Sequence, residues 1–209
     1  MKTRIRTDEL MQPIATFSHA TQAGGVIHLG ATAGTDSQRR LAGVRPGLCD
    51  VEIQIEKMLA NVDFVLSKYP NITNSLSIHI RRGDYVGQPN HHPVVPVSYY
   101  EKILNEISQD YNSIFVFSDD INWVKENFKG DKFIFPQFES NDDLNSFVLM
   151  TLAKDNVIGN STYSWWAAWL NKNQNKKVYS PHYKQWFGTS YSNLDTKDLI
   201  PVNWIQTEY

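Results

Sequence analysis

The chain has 209 residues, of which 41% are hydrophobic, 12% aromatic and 20% charged, the make-up of a folded globular protein rather than a disordered or collagenous one. Twenty basic against 22 acidic side chains leave a net charge of −2, which disfavours a nucleic-acid coat or a polybasic membrane-binding role. One cysteine, Cys49, excludes an internal disulfide and a Cys-rich zinc site, and no run approaches the ~18 apolar residues of a membrane span. The expected setting is soluble and cytoplasmic, with peripheral attachment to a membrane as the alternative.

In chain order, Gly25-Val26-Ile27-His28-Leu29 reads as a strand bracketed by Gly24 and Gly30. Val51, Ile55, Met58, Leu59, Val62, Val65 and Leu66 then recur at helical spacing behind Asp50, a suitable N-cap. Phe17-Ser18-His19-Ala20, Ala23-Gly24-Gly25 and the stretch from Asp50 to Leu66 resemble the front half of the RidA (YjgF-like) reactive-intermediate deaminase family. That resemblance implies the start of an α+β fold. A deaminase would need the other half, so His19 and His28 read as loop and strand residues rather than as a site.

Composition changes after this stretch. Residues 1–66 hold all the arginines but Arg81 and Arg82 and a single asparagine, Asn61, whereas every tryptophan and tyrosine lies in residues 67–209. The chain therefore reads as two stretches, 1–66 and 67–209, joined near Ser67–Ile72 like a chimera. The helix of the first stretch is expected to dock on the second or to self-associate, because this stretch offers no obvious partner strands.

From residue 67 onward strands and helices alternate. Leu76–Ile80, Ile114–Phe117, Lys132–Phe135, Asn156–Gly159 and Lys177–Pro181 read as strands, and the tail after Pro181 as irregular. Helices are expected over Tyr99–Ile107, Ile121–Phe128, Asp142–Ala153 and Ser164–Leu170. The pattern gives an α/β fold, a Rossmann-like parallel sheet preceded by a partial α+β segment.

Ligands of such sheets sit beyond the carboxyl ends of the strands, and three polar clusters fall there. In His79-Ile80-Arg81-Arg82-Gly83-Asp84, strand alternation puts Ser77, His79 and Arg81 on one face. Arg81 and Arg82 are forks suited to phosphate oxygens; an Arg–Asp84 structural pair is the alternative. Ser118-Asp119-Asp120 suits either a ribose or base contact or a helix cap. Its adjacent carboxylates point apart, so no metal site is expected. Gly159-Asn160-Ser161-Thr162 precedes a helix and presents hydroxyls, an amide and backbone N–H groups to an anion. Trp165, Trp166 and Trp169 read as packing. Together these clusters describe a pocket for a nucleotide or nucleotide-sugar pyrophosphate.

Ser77–Tyr85, Val116–Asp120 with Trp123, Asn160–Leu170, and the closing Asp198-Leu199-Ile200-Pro201 with Trp204 are similar, in order and spacing, to motifs of family 11 glycosyltransferases, the α-1,2-fucosyltransferases. The resemblance runs from about Asn74 to Ile205. It implies the C-terminal, donor-holding domain of a GT-B-type enzyme that uses GDP-fucose, inverts the anomeric centre and needs no cofactor or obligatory metal. It further implies His79 on the guanine side, catalytic Arg81 and Arg82 on the diphosphate, Asp84 with the donor, Asp119 or Asp120 near the nucleoside, and Asn160, Ser161 and Thr162 near the phosphates. The acceptor is expected to be a galactoside-type glycan. Ser146 stands where the family usually has an aspartate, and no Gly-Gly-Leu-Gly-Asn-Gln-type opening precedes His79. The expected function is therefore a fucosyltransferase without its acceptor half, with a non-catalytic GDP-binding module as the alternative.

Overall fold

The computed structural model describes residues 61–139 and 142–209, together with the backbone of five short strands ahead of them. By contact density the chain parts into two units, Met1–Val65 and Leu66–Tyr209.

In the first unit, β1 (Thr3–Ile5), β2 (Ala20–Ala23) and β3 (Val26–Leu29) form an antiparallel sheet in that order. Ala23 stands opposite Val26 where β2 pairs with β3. β4 (Val44–Arg45) and β5 (Leu48–Cys49) make a second antiparallel pair. The expected strand at 25–29 is thus β3, and its partners come from the same stretch, which corrects the reading that residues 1–66 lack partner strands. Residues 61–68 are helical (α1), while 50–60 of the expected helix, and His19, lie outside the described residues.

The second unit is a six-stranded sheet, parallel throughout, in the order β11-β10-β9-β6-β7-β8. Its strands are β6 (Leu76–Ile80), β7 (Ile114–Ser118), β8 (Phe133–Ile134), β9 (Asp155–Val157), β10 (Val178–Pro181) and β11 (Ile205–Thr207). Helices α2 (Val97–Ile107), α3 (Ile121–Asn127), α4 (Asp142–Leu152) and α5 (Thr162–Leu170) make the crossovers. The parallel α/β architecture expected from the alternation is present. β11 was missed: Ile205 and Gln206 are exposed on an edge strand that carries no continuous apolar run.

Every residue of β6 is buried, as a strand covered on both faces requires. Leu76, Ile78 and Ile80 pack into one core with Tyr99, Tyr100, Ile103 and Leu104 of α2. Ile158, Ala168, Val178, Trp186, Ile200 and Trp204 make a second core around α5. Trp165 stacks on Trp169 at 5.5 Å and donates through Nε1 to the Leu199 carbonyl at 3.0 Å, so these rings are packing, as expected.

The end of α5 is tied to the sheet by a buried amide. Asn171 Nδ2 donates to the Ala153 carbonyl at 2.7 Å and to Asn156 Oδ1 at 2.8 Å, while its Oδ1 accepts from Asn173 N at 2.9 Å. Buried polar atoms stripped of their partners retain their desolvation penalty. Asn171→Ala is expected to lower unfolding free energy by about 2–3 kcal/mol. Urea unfolding followed by tryptophan fluorescence checks this, and reads residues 66–209 alone because all six tryptophans lie there.

Candidate functional site

The strand order reverses at β6. From β6 the chain moves outward to β7 and β8, then crosses back to place β9 on the other side of β6. The turns after β6 and β9 therefore leave in opposite directions from the carboxyl edge of the sheet, the usual ligand position of an open α/β sheet.

Gly159, after β9, sits where these two turns meet. A Cβ there would lie 3.0 Å from the Tyr100 hydroxyl and 3.3 Å from the His79 carbonyl, so the two turns approach more closely than a side chain comfortably permits. The same Tyr100 hydroxyl donates to the His79 carbonyl at 3.3 Å.

His79 is the innermost of the expected site residues. It is 5% exposed, its ring lies 5.3 Å from Tyr163, and its Nδ1 is buried without a hydrogen-bond partner. Burial, helped by the Arg81 charge, pulls its pKa from the usual 6.5 down to about 3, so the imidazole is neutral at physiological pH. Asn160 Oδ1 is the second unpaired buried atom at this edge. Asn160 Nδ2 is committed inward, donating to the Pro93 carbonyl at 2.8 Å and the Trp186 carbonyl at 3.0 Å. Ser161 is the N-cap residue of α5 and makes no side-chain cap bond, and Thr162 is exposed on the first turn. That leaves the first-turn N–H groups of a nine-residue helix uncapped by Ser161 at this edge.

Both arginines, by contrast, already carry carboxylate partners. Arg81 Nη2 meets Asp84 Oδ1 at 2.7 Å and Nη1 meets Asp119 Oδ2 at 3.1 Å. Arg82 Nε meets Asp120 Oδ2 at 3.1 Å, and its guanidinium lies 3.9 Å over the Trp123 ring. Asp119 Oδ1 also accepts the Arg82 backbone N–H at 2.9 Å. Asp120 additionally caps α3 by accepting from Trp123 N at 3.3 Å, the capping alternative weighed from the sequence. The Arg81–Asp84 pair weighed from the sequence is present as well.

Gly83 makes this arrangement possible. A Cβ on it would stand 2.2 Å from Asp119 Oδ2. Neither that contact nor Trp123 beneath Arg82 was legible in the sequence, because both depend on the turns after β6 and β7 lying side by side. Tyr85 was also passed over. Its ring lies 5.4 Å from the Arg81 guanidinium and stacks on His92 at 4.8 Å, and its hydroxyl comes within 3.5 Å of the Asn160 carbonyl.

His79, Arg81, Arg82, Asp84, Asp119 and Asp120 thus converge at one strand edge, with Asn160, Ser161 and Thr162 on the neighbouring turn. Two guanidiniums and an uncapped helix end suit an anion with several oxygens. Among the described residues, no three His, Cys, Asp or Glu side chains gather as a metal site would need, and no helix is long and apolar enough to cross a membrane.

A family model described as glycosyl transferase family 11 matches residues 49–207. An O-antigen biosynthesis glycosyltransferase of Escherichia coli, WbnK, is 37% identical over 163 residues, covering 73% of this chain and 52% of that protein. An alpha-1,2-colitosyltransferase of Escherichia coli is 35% identical over 156 residues, covering 68% of this chain and 51% of that protein. The chain spans about half the length of these curated relatives. The match begins ahead of Asn74 and takes in the stretch from Asp50 to Leu66, leaving the deaminase resemblance only the residues before 49 to itself.

The His79 imidazole gives the site a pH signature. Its folded pKa is below its unfolded value, so stability is fully present above pH 6.5 and is lost as pH falls from 6.5 toward 3. Between pH 7.5 and pH 5 the wild-type chain is expected to lose up to about 2 kcal/mol more than His79→Phe, whose ring does not titrate. Denaturant titrations of both proteins at the two pH values measure that difference.

Proposed function

The chain belongs to glycosyl transferase family 11, and on that footing we propose that its second unit holds a GDP-sugar for transfer to a glycan hydroxyl. The observation that carries this reading is the pair of adjacent arginines at the reversal of strand order, with an uncapped helix end on the neighbouring turn. The donor is GDP-fucose, as the sequence resemblance implies. The relative named for colitose transfer makes GDP-colitose, whose sugar is fucose lacking the 3-hydroxyl, the alternative donor to include in the test. The acceptor is a galactoside of a surface polysaccharide, in keeping with the relative named for O-antigen biosynthesis.

In this reading the diphosphate lies along Arg81 and Arg82 with the N-terminus of α5 opposite. The bond from the anomeric carbon to the β-phosphate oxygen breaks, and its electron pair stays on GDP. The acceptor hydroxyl oxygen bonds to the opposite face of that carbon, and its proton passes to a base, giving inversion. Charge grows on the leaving diphosphate as the bond stretches, so fixed guanidiniums and helix N–H groups stabilise the transition state more than the bound donor. No metal is required by this scheme, because those groups supply the positive charge. Neutral His79 turns its buried ring edge to the guanine side, where the unpaired Nδ1 gains a partner.

The second reading is a GDP-binding module that does not itself transfer sugar. The residues ahead of 49 stand outside the family match; that the chain joins two origins is a reading carried by the sequence resemblance and the change in composition.

Calorimetric titration with GDP decides the shared premise. Saturable binding is expected, weakened roughly 10- to 100-fold in Arg81→Ala, the range for a lost charge-assisted hydrogen bond. A folded wild-type chain that binds no GDP would overturn the donor assignment. Transfer from GDP-fucose or GDP-colitose to lactose, measured on the same protein, then separates enzyme from module.

A further inference from the structure

The two carboxylates on Arg81 differ in kind. Asp119 follows the last residue of β7, and Ser118 of that strand stands in register with Ile80 of β6. Its two oxygens hold two different groups, the Arg81 guanidinium and the Arg82 backbone N–H, at 3.1 and 2.9 Å. It also lies against Gly83 so closely that a Cβ would reach 2.2 Å from it. Asp84 sits instead on an exposed 3-10 turn, Gly83–Gly87, its side chain is 55% exposed, and it holds Arg81 through one bond at 2.7 Å.

Between them these carboxylates contact both Nη atoms of Arg81, so a phosphate approaching those nitrogens competes with them. Moving Asp119 would free the Arg82 amide and unlink the turns after β6 and β7. Moving Asp84 breaks one exposed ion pair and returns a carboxylate to water, a small loss for a pair of this exposure.

We propose that Asp119 is the positioning residue for both arginines, and that Asp84 is an exchangeable counter-ion which keeps Arg81 oriented until a donor phosphate takes its place. Asp84 competes with the ligand; Asp119 builds the site. The proposal rests on the donor reading above and goes beyond it by assigning opposite effects to two carboxylates on one guanidinium.

The test is titration of the full chain with GDP and, separately, with inorganic pyrophosphate, for wild type, Asp84→Asn, Asp119→Asn and Gly83→Ala. Asp84→Asn is expected to bind both probes about two- to five-fold more tightly, the size of an exposed ion pair removed from competition. Asp119→Asn is expected to bind about ten-fold more weakly. Gly83→Ala retains every charge but pushes the Asp119 carboxylate off Arg81, so it should weaken binding in the same direction. That variant keeps the Asp119 arm testable if Asp119→Asn fails to fold. A merely structural role for Asp84 predicts weaker binding or none of the gain, and either result overturns the proposal while wild-type binding leaves the donor reading standing. No binding of either probe by any of the four proteins overturns the donor reading itself, and this proposal with it.

Discussion

A central strand with no exposed residue ends in two adjacent arginines, and the candidate site depends on how that transition is managed. β6 is buried from Leu76 to Ile80, so its apolar face is committed to α2 and its other face carries Ser77 and His79 into the interior. At Arg81 the chain must leave the sheet, and two like charges must be held apart where their neighbours are already packed. Carboxylates from the next turn do this, and Gly83 provides the room. The reversal of strand order then sends the turn after β9 the other way, so that the two turns meet at Gly159.

Different forces fix the parts of this edge to different degrees. Arg82 is held by a ring contact with Trp123, an ion pair and a backbone bond, and its side chain is only 18% exposed. Arg81 is held by two ion pairs and a longer ring contact with Tyr85 in a more open position, and exposed ion pairs are individually weak in water. Rigid Arg82 beside adaptable Arg81 is a workable division for an anion that must enter, be gripped and leave. His79 adds the opposite ingredient, a polar atom buried without a partner, whose cost the fold bears in the absence of ligand. Such deficits are what a binding partner can relieve.

Much of the second unit was legible because its physics is periodic. Continuous apolar runs at 76–80 and 114–117 announced strands covered on both faces, and alternation alone put His79 opposite Ile78 and Ile80. The α2 face of Tyr100, Ile103, Leu104 and Ile107 was equally plain. β11 was not, because Ile205-Gln206-Thr207 is an exposed edge whose assignment depends on β10 beside it. The partners of β3 were hidden for a similar reason: β1 and β2 are short and their pattern weak, and only pairing makes them strands. The site residues were found as types at the right strand ends. Their pairings were out of reach, because Arg82 and Asp120 are 38 residues apart and meet only through the register of β6 on β7.

That register also explains why a phosphate-binding edge would carry three carboxylates. Two bare guanidiniums on neighbouring residues repel each other and sample many rotamers, so each would have to be ordered when a ligand arrives. Carboxylates weaken the net field felt by an incoming anion, yet they set the guanidinium planes in advance, and preorganised charge is what matters as a leaving group develops its own. An arrangement in which one carboxylate stays and another yields keeps the orientation while releasing the field. Asp119, bound at both oxygens and wedged against Gly83, has the contacts of the first kind; Asp84, on its exposed turn, has those of the second. The asymmetry follows from where each sits. One is anchored at the end of a buried central strand, and the other rides a loop that water already surrounds.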